Sequence, residues 1–174
     1  PTESSVTVTA NVATLANQPT CLLQCNVSAG GATGVKTLKI ASGNLDNKPL
    51  LRAANLSGCR VVISTGGARA DDLDDYAFTR RAPVWLHCVS AYPAPIEAMN
   101  LLALREMKQH VSFVGLSVDS ERLTVAANAV SLGATVIEKH LTLDRNAPGP
   151  DHKASLEPDQ FKEMVARIRE AELA

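Results

Sequence analysis

Five short, apolar, β-rich runs recur along this chain at nearly even intervals, and that rhythm most limits how it can fold. The runs are TLKIA (37–41), VVIST (61–65), VWLHCV (84–89), FVGLS (113–117) and TVIEKHL (135–141). Their starts lie 24, 23, 29 and 22 residues apart. A gap of that size holds a helix, so the spacing predicts parallel βα units with right-handed crossovers. Leu123, Ala126, Ala127 and Val130 fall at i, i+3, i+4 and i+7, which predicts one helix stripe. Phe161, Met164, Val165 and Ile168 repeat the pattern, with Pro158 suited to the first turn of that helix. Gly58 and Gly133 stand where helices would end before the second and fifth strands. Five such units are an α/β fold of one of two kinds: a doubly wound open sheet, or part of an eight-stranded barrel, which needs about 250 residues when complete.

The stretch before the rhythm differs. Residues 1–35 carry one charged side chain, Glu3, and nine serines or threonines, whereas the remaining 139 residues carry 34 charges. Val6, Val8, Ala10 and Val12 alternate with polar residues, consistent with one half-buried strand. The domain reading is therefore an atypical segment over 1–35, a single strand or disordered, followed by the βα array over 36–174.

Composition narrows the partners. The net charge of −1 comes from interleaved acids and bases, and aromatics make up only 3%. That leaves neither a basic face for nucleic acid or anionic membrane nor a base-stacking platform. No apolar run approaches the roughly 20 residues of a membrane span. Cys21, Cys25, Cys59 and Cys88 form no CxxC pair, and the expected state is reduced thiols in the cytoplasm. The acidic run Asp71-Asp72-Leu73-Asp74-Asp75 reads as a helix first turn that complements the dipole.

Polar residues gather at the C-terminal ends of the predicted strands, where α/β folds place their sites. Lys39, Ser42, Gly43 and Asn44 follow the first strand, and Ser64, Thr65, Gly66 and Gly67 the second. His87, Ser90 and Tyr92 follow the third, and Ser117 and Asp119 the fourth. Hydroxyls and glycines after strands supply short donors and backbone N–H groups for a phosphate or carboxylate, although turns and caps use the same residues. On the fifth strand, alternation puts Glu138 and His140 on one face and Lys139 on the other. The Glu138/His140 pair suits a divalent metal, proton sharing, or a hydrogen-bonded polar layer. The loop 142–153 carries two prolines, a glycine and several charges, as a substrate-contacting loop does.

Several segments go further: KIASGNLDNKPLL (39–51), ISTGGA (63–68), LHCVSAYPAPIEAMNL (86–101), VGLS (114–117) and LGATVIEKHLTLDRNAPGPDHKASLEP (132–158). From about residue 34 onward the chain resembles the sialic acid synthase family, which includes N-acetylneuraminate, legionaminate and pseudaminate synthases. The resemblance implies a partial TIM (β/α)8 barrel, with the five runs as strands four to eight. It also implies a metal-assisted transferase reaction in which phosphoenolpyruvate condenses with an N-acetylated amino sugar, manganese or magnesium being the usual ion. By that resemblance Lys39, Ser42, Ser90 and Ser117 correspond to phosphoenolpyruvate contacts, and Tyr92 and Asp151 to sugar contacts. His140 corresponds to a metal ligand and Glu138 to an active-site acid.

The chain departs from the family pattern in three places. GLSVDS (115–120) replaces the family's GYSDHT, which puts Asp119 where the second metal-binding histidine stands. A carboxylate still suits manganese or magnesium. Asn44 occupies the place of an acidic sugar contact. Residues 1–35 do not resemble the family's first three strands. A truncated or frame-shifted product is the expectation from that switch, and with it the alternative of an inactive remnant that self-associates, as a homo-oligomer, through open strand edges.

Overall fold

The computed structural model describes the backbone of residues 7–11, and residues 37–69 and 82–173 in full. The acidic run 71–75 and the Cys21/Cys25 pair lie outside the described residues. Among the described residues, five of the six strands fall on the predicted runs: β2 (Thr37–Ile40), β3 (Arg60–Ser64), β4 (Val84–His87), β5 (Phe113–Ser117) and β6 (Val136–His140). Between and after them run α1 (Lys48–Leu56), α2 (Ala103–His110), α3 (Thr124–Ser131) and α4 (Pro158–Ala171). All strand pairings are parallel, in the order β1-β6-β5-β4-β3-β2. The sixth strand, β1 (Thr7–Asn11), lies where the alternation of residues 6–12 predicts one, with Thr9 opposite Glu138 and Asn11 opposite His140. A closed eight-stranded barrel pairs its first strand with its last. With β2–β6 as strands four to eight, β1 takes the place of strand one.

Alternation divides the side chains between two faces. Leu38, Ile40, Val61, Ile63, Trp85, Val114, Leu116 and Ile137 turn toward the helices and form the main core with Leu51, Leu104, Met107, Met164 and Ile168. Lys39, Ser117, Glu138 and His140 fall on the other, concave face, which is half-buried. The sheet curls tightly there. A Cβ on Gly115 would lie 2.3 Å from the Val136 carbonyl oxygen and 2.6 Å from Leu86, so at position 115 the curl leaves room only for glycine.

The helix ends follow local chemistry. Asn47 caps α1 by accepting from the Leu50 N–H at 3.1 Å. Glu157 and Gln160 form a capping box on α4, with Pro158 in its first turn. Gly58 (φ 75°) and Gly133 (φ 94°) take left-handed conformations just beyond α1 and α3, as expected of helix terminators. On α3 the buried residues are Val125, Ala126 and Ala129, so the observed stripe is turned from the predicted one. Nearly every residue of α3 is small or apolar, and its packing against α4 and β5 decides which side is covered.

Candidate active site at the strand mouths

Lys39 and Glu138 meet across the concave face. Lys39 Nζ donates to Glu138 Oε1 at 3.0 Å and lies 2.9 Å from Oε2. Ser117 Oγ donates to the same Oε1 at 2.8 Å. Ser117 and Glu138 are register partners on the neighbouring strands β5 and β6, whereas Lys39 comes from β2, so the curl of the sheet brings it to them. They remain partly accessible, with Lys39 29% and Glu138 17% exposed.

Beside this cluster lies a small cradle of donors. Gly66 N–H donates to Ser42 Oγ at 3.0 Å, and Ser42 Oγ sits 3.2 Å from Cys88 Sγ. A Cβ on Gly66 would lie 2.7 Å from Ser90 Oγ and 2.9 Å from both Ser42 Oγ and Cys88 Sγ. Three side chains thus converge on the backbone of one glycine, leaving room for none beyond a hydrogen. The sequence pointed to Ser42 and Ser90; the part played by Cys88 was not legible there. Thr65, by contrast, spends its hydroxyl on the Leu86 carbonyl at 3.0 Å. His87 points to the helix side, its Nε2 2.7 Å from the Met99 carbonyl oxygen, and so stands apart from the mouth.

A third group holds the candidate metal ligands. Asp119 Oδ1 lies 3.5 Å from His140 Nε2, and Asp119 is buried. Burial pushes the Asp119 carboxyl above its usual range; His140 and Lys139 pull it down, and Glu138 and Asp151 push it up again. A buried carboxylate facing an imidazole, with further acids nearby, is a donor set that fits a hard divalent cation. Among the described residues no third histidine, cysteine or carboxylate completes a cluster with them. An ion held here would keep positions for water or substrate oxygens, as magnesium sites do.

Tyr92 is 62% exposed on the loop after β4. Partial burial of its phenol, followed by the charges of Asp119, Cys88, Asp151 and Glu138, raises its pKa. Tyr92 and Asp151 therefore share the electrostatic surroundings of Asp119. The loop 142–155 that carries Asp151 is pinned at its base, where Leu141 and Leu156 form a parallel bridge and Thr142 N–H donates to the Leu156 carbonyl at 3.0 Å.

Comparison with known proteins decides the family. The NeuB family model matches residues 10–174. The chain belongs to this family. The likeness begins inside β1, so it reaches into the stretch over 1–35 that sequence reading had set apart. Among relatives of the family, the N,N'-diacetyllegionaminic acid synthase of Campylobacter jejuni is 38% identical over 149 residues, covering 81% of this chain and 45% of that protein. Human N-acetylneuraminate-9-phosphate synthase is 34% identical over 146 residues, covering 80% of this chain and 41% of its own length. The structure of N-acetylneuraminic acid synthetase from Leptospira borgpetersenii, solved in complex with citrate, superposes with a TM-score of 0.75 at 35% identity. It covers 80% of this chain and 50% of that one. The chain thus spans half or less of each of these three proteins, and its fold is the corresponding part of their α/β barrel.

Proposed function

We propose that the mouth of this half-barrel is a phosphoenolpyruvate site of a nonulosonic acid synthase, and that the reaction it serves is condensation with an N-acetylated amino sugar. In that reaction C3 of phosphoenolpyruvate bonds to the sugar's open-chain aldehyde carbon, water adds at C2, and phosphate leaves. The observation that carries the reading is the Lys39–Glu138–Ser117 cluster beside the Gly66 cradle. Phosphoenolpyruvate brings a phosphate and a carboxylate; an ammonium, three serine hydroxyls and a thiol, some already engaged with one another, face the space it would take.

In this reading Lys39 binds the anion, while Glu138 holds the ammonium in place and orients the Ser117 hydroxyl. Ser42 and Ser90 serve as short donors. Asp119 and His140 would hold manganese or magnesium, which supplies Lewis acidity toward a carbonyl oxygen. Tyr92 and Asp151 face the sugar from the two loops. The family names of the relatives support the product class, a nonulosonic acid. Incubating the chain with phosphoenolpyruvate, manganese and N-acetylmannosamine, and following inorganic phosphate, tests the reading. Sugar-dependent phosphate release supports it; the absence of saturable phosphoenolpyruvate binding contradicts it.

A specific observation also favours a self-association reading. Among the described strands β2 pairs with β3 alone and leaves its other edge free. Open edges pair readily with other chains, so a homo-oligomer joined there would protect β2. Analytical ultracentrifugation decides: a monomer at micromolar concentration counts against it.

A further inference from the structure

Lys139 is the one charged residue among the largest fully buried side chains of the described chain, at 1% exposed. Period-two alternation in β6 sends it to the face of Ile137, away from Glu138 and His140. A buried ammonium is costly unless its donors are used. Lys139 Nζ donates to the Ser120 carbonyl at 3.1 Å and to the Ala154 carbonyl at 2.5 Å. These two oxygens belong to different loops, and each sits close to an acid of the candidate site.

Ser120 directly follows Asp119, whose own carbonyl accepts from the Ala94 N–H at 3.1 Å. Ala154 lies in the turn that Asp151 begins: Ala154 N–H donates to the Asp151 carbonyl at 3.1 Å, and Ser155 Oγ to the same oxygen at 2.7 Å. Fixing the Ala154 carbonyl therefore fixes the turn that presents Asp151. A second tie joins the same loops nearer the surface. Arg145 pairs with Glu121, and its guanidinium also donates to the Lys153 carbonyl at 2.8 Å.

We infer that Lys139 is a positioning residue that clasps the 118–121 and 142–155 loops from beneath and so sets Asp119 and Asp151 against each other across the sugar side of the site. The inference rests on the proposed site for its functional meaning, but the clasp itself is tested without substrate. The two acids carry like charge and sit on separate loops, so something must hold them together. A shared donor between their neighbouring carbonyls does so without occupying the space where a ligand would bind.

The test compares amide hydrogen exchange in the full chain, in Lys139→Met, and in Ile137→Val, a buried neighbour on β6 that touches neither loop carbonyl through a polar atom. Removing the clasp is expected to speed exchange about tenfold or more in peptides covering 118–123 and 142–156, with β3 and β4 unchanged. Ile137→Val is expected to leave the ratio of loop to strand exchange as in the wild type. Manganese affinity, read by calorimetry, is expected to weaken about fivefold in Lys139→Met and to hold in Ile137→Val. Unchanged loop exchange in a folded Lys139→Met chain, or a uniform rise across all peptides, overturns the clasp. So does manganese affinity that falls equally in both variants. If the wild type binds no manganese, the functional reading fails while the exchange result still decides the clasp. Should Lys139→Met not fold, acetic anhydride labelling of the wild type decides instead. Lys139 is expected to react about a hundredfold more slowly than exposed Lys153, and equal rates overturn the proposal.

Discussion

Lys39 and Glu138 stand 99 residues apart in sequence and on strands separated by three others, yet Lys39 Nζ lies 2.9 Å from a Glu138 carboxylate oxygen. A flat sheet would hold β2 and β6 roughly 19 Å apart at the usual strand spacing. The ion pair is therefore a direct measure of the curl.

Replacing Lys39 with methionine is expected to cost little stability, about 1 kcal/mol or less, because the pair is partly exposed. Its effect on phosphoenolpyruvate should be much larger, about tenfold or more in affinity. Urea unfolding followed by fluorescence of Trp85, the only tryptophan and a fully buried one, measures the first effect. Calorimetry measures the second. A large stability loss with unchanged affinity would reverse the roles given to this residue.

Gly66→Ala places a methyl group among Ser42 Oγ, Cys88 Sγ and Ser90 Oγ. The hydroxyls can rotate aside, so the fold should survive, but they would no longer converge on one point. Gly43→Ala is a matched control, since a Cβ there meets nothing within 4 Å. Phosphoenolpyruvate affinity should drop about tenfold in Gly66→Ala, and Gly43→Ala should stay within about twofold of wild type. Equal behaviour of the two variants would remove Gly66 from the binding surface.

Asp119→Asn separates stability from metal binding. Burial raises the Asp119 pKa in the folded chain, so the folded state holds its proton more tightly than the unfolded state. Stability from this group is present at low pH and is lost as pH rises from the ordinary carboxylate value of 3.8 through the higher folded value. Asparagine abolishes that loss. The variant should be as stable as wild type or more so at pH 7, while binding manganese more weakly. Urea midpoints across pH 4 to 8, paired with calorimetry, check both halves.

Lys139 gives the opposite slope in an alkaline window. Burial lowers its pKa to about 8 from the ordinary 10.5, so between those values the unfolded chain holds a proton that the folded chain has released. The cost of burying the charge is complete below pH 8 and is relieved as pH rises toward 10.5, by up to about 3 kcal/mol. A neutral amine keeps two N–H donors, enough for the Ser120 and Ala154 carbonyls. Stability should therefore climb above pH 8 in wild type relative to Lys139→Met. Parallel profiles would place the Lys139 pKa near its ordinary value.

Much of this arrangement was legible before the structure, and the limits have physical causes. The strands were readable because each is a short apolar, β-rich run, buried almost throughout in β4 and β5, and the runs recur at the spacing of βα units. Lys39, Ser117, Glu138 and His140 followed from strand ends and register. What could not be read were contacts made by backbone groups. The Gly66 N–H and the carbonyls of Ser120 and Ala154 carry no side-chain signature, so neither the full cradle nor the role of Lys139 had a signal beyond a lysine placed on a buried face. The covered side of α3 was hidden for another reason: a helix of small apolar residues offers no contrast from which to choose a face.

The central claim, that the strand mouths form a phosphoenolpyruvate site around Lys39, is tested most directly by titrating the compound against the chain while following its 31P signal. Saturable broadening in wild type, weakened about tenfold in Lys39→Met and in Gly66→Ala, is the predicted result. A signal unperturbed by wild type, or equal binding by wild type and Lys39→Met, would contradict it.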